Sequence, residues 1–223
     1  MGSRTRDQLR KFYEAMYRAL GPQHWWPGET PTEIVIGAIL TQNTAWANVE
    51  KAITSLRRAG CIDWTRLCEI DTADLARLIR PAGYFNVKAR RLKSFVSWLW
   101  ERYGGDLDRM FATPLPRLRE ELLGVPGIGR ETADSILLYA GGKPSFVVDA
   151  YTYRILRRHR VIEDDADYDQ IQDLFESNLT QDVALYNEYH ALLVNVGKNY
   201  CRPKPRCRGC PLERFEHEAD PES

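Results

Sequence analysis

Apolar residues return every three or four positions in one stretch of this chain after another, and that spacing restricts the fold more than any single motif does. Leu9, Phe12, Met16 and Leu20 lie on one stripe of residues 7–20. Residues 34–40 are continuously apolar behind Pro31, as a buried central helix beginning at a proline would be. Residues 49–59 are amphipathic, and 72–79 form a short helix closed by Pro81 and Gly83. A long amphipathic helix over 88–103 carries Phe95, Trp98, Leu99 and Trp100. Further helices are predicted over 115–123, 130–141, 151–158, 168–177 and 184–200. Only residues 145–148 read as a strand, too little for a sheet. The expectation is an all-α protein with short loops, in one domain or two small lobes. No repeat or low-complexity linker divides it.

The 223 residues balance 31 basic against 31 acidic side chains. Zero net charge weighs against nucleic-acid binding, because neutralising phosphates dominates such affinity. The charges are unevenly placed, however. Lys88, Arg90, Arg91 and Lys93 form one basic group, Arg154 to Arg160 a second, and Arg202, Lys204, Arg206 and Arg208 a third. Solvated helix faces account for any one of these alone. No apolar run is long enough to span a bilayer, and residues 1–17 lack a signal-peptide core, so an intracellular protein of the cytoplasm or nucleoid is expected. Three of five cysteines crowd into 201–210, which suits a metal better than disulfides. Cys61 and Cys68 are expected as small buried residues.

Residues 122–129, LLGVPGIG, join two helical stretches. Pro126 fixes one backbone angle, while Gly127 and Gly129 permit angles that other residues resist. Such a hairpin can present backbone N–H groups at a helix start, where phosphate binds without regard to base sequence. Read alone, the glycines also fit a plain turn between packed helices. In context, residues 123–139, LGVPGIGRETADSILLY, resemble the helix-hairpin-helix of the endonuclease III (HhH-GPD) superfamily of DNA glycosylases. Residues 147–154, VVDAYTYR, resemble the segment that carries its catalytic aspartate. Gln42 and Asn43 fall in a stretch like its early loop, residues 83–89 resemble its middle motif, and the terminal cysteines resemble its iron–sulfur loop.

The resemblance implies a two-lobed helical fold with a DNA-binding groove between the lobes. A central lobe with the hairpin would cover 31–142, and a second would join 1–30 to 143–223. A monomer would act on double-stranded DNA with the damaged base flipped out. Gln42, Asn43, Lys88, Val125, Gly127, Gly129 and Arg130 would contact DNA, with Gln42 filling the gap left by the flipped nucleotide. Asp149 would be the catalytic carboxylate, stabilising positive charge on the sugar and orienting water. As a lone aspartate before a helical stretch, it also fits a helix cap. Superfamily members that also cut the strand carry a lysine where this chain has Glu131, and a carboxylate cannot form their Schiff base. A monofunctional glycosylase is therefore expected.

The pattern is most similar to the 3-methyladenine DNA glycosylase III branch, which removes alkylated purines. Trp25, Trp26 and Trp46 would stack on an electron-poor base, with Glu131 and Lys198 beside the pocket. Cys201-x5-Cys207-x2-Cys210 would hold a [4Fe-4S] cluster with Glu216 or His217 as substitute fourth ligand; zinc is the alternative, and an empty loop the third. Rival readings are a mismatch glycosylase acting on thymine, uracil or adenine, a bifunctional glycosylase/lyase using another amine such as Lys198, and a non-catalytic DNA-binding module.

Overall fold

A computed structural model describes residues 2–26 and 28–218. The described chain is helical, with α1 (Gly2–Leu20), α2 (Pro31–Leu40), α3 (Trp46–Arg58), α4 (Trp64–Glu69), α5 (Thr72–Leu78) and α6 (Phe85–Tyr103). There follow α7 (Leu107–Phe111), α8 (Leu115–Leu123), α9 (Arg130–Ser135), α10 (Ala150–Arg158), α11 (Tyr168–Asn178) and α12 (Val183–Asn199). A 3-10 turn occupies Arg80–Ala82, and α9 runs on directly into a π-helical segment, Ile136–Ala140. No strand occurs among the described residues. The strand-like stretch 145–148 is irregular chain sunk in the core, so its apolar run reflects burial rather than pairing.

The chain divides into two units, Trp26–Lys143 and Met1–Trp25 with Pro144–Ser223. In the first, α2 is the central element. Its side chains Val35, Ile36, Ile39 and Leu40 are fully buried, and α3, α6, α9 and the π segment pack around it. Thr30 caps α2 by accepting from Glu33 N–H at 3.2 Å, and Pro31 starts the helix where its missing donor costs nothing. The longest helix here, α6, buries Leu92, Phe95 and Leu99 on one stripe and stops at Gly104 in the left-handed conformation (φ 68°).

In the second unit, Phe146 stacks on Phe175 at 3.8 Å between ring centroids, and Tyr186 and Tyr189 meet Phe146 edge-on. The Tyr189 hydroxyl donates to the Leu9 carbonyl at 2.8 Å and so ties α1 to α12. Gly197 admits the Tyr151 ring against α12; a Cβ there would come within 2.4 Å of it. That close packing of α10 on α12 places the start of α10 beside the middle of α12.

Two helices had no forecast in the apolar spacing. At six and five residues, α4 and α7 are too short to show a stripe, but each has an aspartate cap, Asp63 and Asp106. Cys61 is buried as expected, whereas Cys68 is exposed, because it faces outward from α4.

Candidate functional site

The hairpin is held from below. Arg119 on α8 grips Asp134 on α9 with two parallel bonds, Nε to Oδ1 at 2.8 Å and Nη2 to Oδ2 at 3.1 Å, and the Asp134 side chain is fully buried. Val125 buries its side chain and accepts through its carbonyl from Ile128 N–H at 3.0 Å. Any contact Val125 makes with a ligand is therefore through its main chain. Gly127 has φ 91°, and a Cβ on it would lie 2.3 Å from Arg91 Cγ. Gly129 has φ −94° and open space around it, so neither backbone nor packing demands glycine there. Both glycines and Arg130 are exposed, and α9 starts with no side-chain cap. The N–H groups of Gly127 and Gly129 donate to no described residue. Glu131 is exposed in the first turn of α9, where a carboxylate suits the positive end of a helix dipole.

Three elements meet at Gln42. Its side-chain N–H2 donates to the Gly127 carbonyl at 3.2 Å and to Thr132 Oγ1 at 2.8 Å, and its Oε1 accepts from the Arg91 guanidinium. Asn43, next along, is exposed and left-handed (φ 53°). Lys88 does not reach the surface. Its side chain is buried, its ammonium donates to the Ala82 carbonyl at 2.7 Å, and burial followed by the nearby Arg91 charge lowers its pKa to about 8. The expectation that Lys88 contacts DNA is corrected: it braces the turn before α6. Tyr84, within the stretch 83–89 but not singled out from it, stands out of that turn, 72% accessible and left-handed (φ 46°). An exposed aromatic behind a glycine was the available signal.

Asp149 caps α10. Its Oδ1 accepts from Thr152 N–H at 2.8 Å and from Thr152 Oγ1 at 2.9 Å. Its Oδ2 lies 3.6 Å from His190 Nε2 on α12, an ion-pair separation rather than a hydrogen bond. The Asp149 side chain is 12% exposed. Burial pushes its carboxyl pKa up, but the imidazole and the two Thr152 bonds together outweigh burial, and the net shift is downward. Asp149 is therefore a buried carboxylate that stays charged. Nothing in the sequence singles out His190, one of four histidines, set in the apolar run of α12.

The aromatic candidates fall into two groups. Trp26 meets Trp46 edge-on at 5.0 Å and lies 4.8 Å from Tyr139, with Gly37 of α2 beneath Trp46. The buried Trp46 indole N–H has no hydrogen-bond partner among the described residues. In the other unit, Lys198 Nζ sits 5.6 Å from the Trp25 ring centroid.

The thiols of Cys201, Cys207 and Cys210 line one cavity together with Arg158, His159 and His217. Burial raises the Cys210 thiol pKa, and the other two cysteines add to the rise, so the three lie near one another. Glu216 is not part of this cavity. Its side chain is 84% exposed and lies 3.7 Å from Arg160. Among the described residues no three His, Cys, Asp or Glu side chains are gathered as one metal ion requires. The second basic group of the sequence partly serves this loop. Arg154 Nε donates to the Cys201 carbonyl at 2.6 Å, and the buried Arg158 donates to the carbonyls of Arg202 and Pro203 at 2.6 and 2.9 Å. Burial lowers the His159 pKa to about 4, and its Nδ1 is 2.9 Å from the Glu216 carbonyl, so it is neutral at physiological pH.

The sequence profile of the HhH-GPD superfamily of base excision DNA repair proteins matches residues 36–181. The chain belongs to that superfamily. Its activity class is accordingly that of a DNA glycosylase in base excision repair. This HhH-GPD chain is 46% identical over 211 residues to a protein of Methanocaldococcus jannaschii assigned as a DNA repair glycosylase, covering 94% of this chain and 96% of the relative. It is 29% identical to endonuclease III of Thermotoga maritima over 82% of its own length and 81% of the relative's. The crystal structure of H. pylori 3-methyladenine DNA glycosylase bound to 1,N6-ethenoadenine is similar with a TM-score of 0.72 and 29% identity, over 87% of this chain and 97% of that one. No helix among the described residues is long and apolar enough to cross a membrane.

Proposed function

We propose that this HhH-GPD glycosylase hydrolyses the N-glycosidic bond of a flipped alkylated purine, such as N3-methyladenine, and leaves an abasic site without cutting the strand. The observation that carries this reading is Glu131, an acidic residue in the first turn of α9 where a strand-cleaving relative needs an amine. The likeness to the H. pylori enzyme supports the substrate class. In this reading the exposed Gly127 and Gly129 amides, with Arg130, grip the phosphate backbone, and Gln42 and Asn43 fill the gap in the duplex. Asp149 stabilises the developing sugar cation. Its Oδ1 is occupied by Thr152, so the Oδ2 edge is the one that works on substrate.

The base pocket would draw on Trp25, Trp26 and Trp46. Trp25 already carries a cation on its ring, so a cationic purine stacking there would displace Lys198. Trp26 and Trp46, which meet edge-on, would form the second part of the platform.

The cysteine loop would hold a [4Fe-4S] cluster. Three soft thiols lining one cavity are the donor type such a cluster takes. His217, which lines the cavity, is the substitute fourth ligand in preference to Glu216. The cluster would supply rigidity to the loop and takes no part in glycosidic hydrolysis.

The test is a set of duplexes, each bearing one alkylated, deaminated or mismatched base, incubated with enzyme and scored with and without alkali. Expected are release of N3-methyladenine, strand breaks only after alkali, and no covalent complex trapped by borohydride. Efficient trapping would reveal an amine nucleophile such as Lys198, and release confined to mismatched thymine or uracil would overturn the substrate class.

A further inference from the structure

We infer that Arg91 is a positioning residue that locks Gln42 to the hairpin, so that the group entering the DNA gap and the loop gripping the backbone meet the duplex as one body. The inference rests on the role given to Gln42 above. Three separate stretches of chain converge here: the turn after α2 supplies Gln42, the hairpin supplies Gly127 and Thr132, and α6 supplies Arg91. Every hydrogen-bonding edge of the Gln42 amide is engaged. Its two donors face the Gly127 carbonyl and the Thr132 hydroxyl, which fixes Oε1 toward the Arg91 guanidinium. A flipped amide would set its N–H2 against a guanidinium, donor against donor.

The stem of Arg91 does a second job. Its Cβ, Cγ and Cδ lie across Gly127, so close that a Cβ on the glycine would meet Cγ at 2.3 Å and Cδ at 2.9 Å. The hairpin turn is thus pressed from one side by the arginine stem and bonded on another to the glutamine held by that same arginine. Gln42 itself is half-exposed at the end of a turn, next to the left-handed Asn43. Without Arg91, the amide would keep its donors but lose the partner that fixes its acceptor, and the stem that holds the turn in place. Arg91 differs in this from an ordinary phosphate contact: its charge is turned inward onto a side-chain carbonyl, and its effect on DNA passes through Gln42.

The experiment measures the affinity of Arg91→Ala, Gln42→Ala and the double variant for two duplexes, one unmodified and one carrying a single tetrahydrofuran abasic-site analogue. Wild type should prefer the analogue duplex. Each single variant should lose roughly tenfold of that preference, and the double variant no more than either, as expected of residues acting as a unit. Affinity of Arg91→Ala for unmodified duplex should fall less than its affinity for the analogue duplex, with its salt dependence unchanged. Arg91→Lys, which keeps stem and charge but offers a single-point donor, should fall between wild type and Arg91→Ala. In the free protein, the Gln42 side-chain amide should give a protected, shifted pair of proton–nitrogen signals that moves to the free-amide position in both Arg91 variants, more fully in Arg91→Ala.

An equal loss on both duplexes, with the salt slope reduced by about 1, would show a direct phosphate contact and overturn the inference. So would losses that multiply in the double variant, a Gln42→Ala variant with undiminished preference, or a Gln42 amide signal indifferent to Arg91. Failure of the wild-type chain to release any base, with analogue preference intact, would instead count against the proposed function and leave this lock standing.

Discussion

The helices α9 and α10 begin in opposite ways. Gly129 opens α9 exposed and, as a glycine, offers no capping side chain of its own. Asp149 opens α10 with a carboxylate that accepts from Thr152 and is almost fully withdrawn from solvent. Both starts attract negative charge through the helix dipole. In α10 the anion is built in and kept ionised, whereas the N-cap of α9 supplies none. Under the proposed function, one physical effect, the positive start of a helix, would serve chemistry in one unit and backbone gripping in the other.

Asp149→Asn separates the two roles of the α10 cap. Asparagine caps as well as aspartate, so thermal stability should hardly change, while base release falls by on the order of 10³-fold or more because the charge facing the sugar is gone. Single-turnover release beside a melting curve reads both. A matching loss of stability would mean that the carboxylate is chiefly structural.

Arg119→Ala tests whether the open start of α9 depends on the clamp below it. It leaves Asp134 buried without this partner, so unfolding in denaturant should show a loss of about 3 kcal/mol. The hairpin glycines come next. Gly127→Ala must relieve both a φ of 91° and a 2.3 Å clash, so it should destabilise by about 1–3 kcal/mol and weaken duplex binding, whereas Gly129→Ala should be near neutral in stability.

The smallest effect expected is on pH dependence. The Asp149 pKa is lowered in the folded state, so the stability it contributes is complete above about pH 4 and is lost only as pH falls through the folded value. The acid limb of base release should accordingly lie below the ordinary carboxylate range. In His190→Gln the burial penalty remains while its main compensation is gone, so the limb should move upward, with alkaline behaviour unaffected. An unmoved limb would show that Thr152 alone keeps Asp149 charged.

These differences also mark what could be read from the sequence. The helix over 115–123 was legible to the residue, because a nine-residue stripe between a proline and a glycine contains its own boundaries. The hairpin was legible for the same reason: its glycines, proline and following helix lie within a few positions. His190 was not, since its partnership with Asp149 joins residues far apart in sequence and is made by the packing of α10 on α12. Lys88 and Arg158 misled in the other direction. Basic residues in a row imply a charged surface, but helical geometry turns one in three or four inward, where these two bind carbonyls.

The π segment that follows α9 has a consequence for the hairpin. In it, Gly141 N–H reaches the carbonyl of Ile136, five residues back instead of four. A ring of that kind takes up one residue more than an ordinary helical turn, and one residue is worth about 100° of rotation about the helix axis. The rotational register between α9 and the chain after residue 140 is therefore set in part by a count of residues between 136 and 140. Conservative exchange among Ile136, Leu137 and Leu138 should leave that register alone. Removing a single residue would regularise the helix and offset by about a quarter turn the faces it presents before and after the segment.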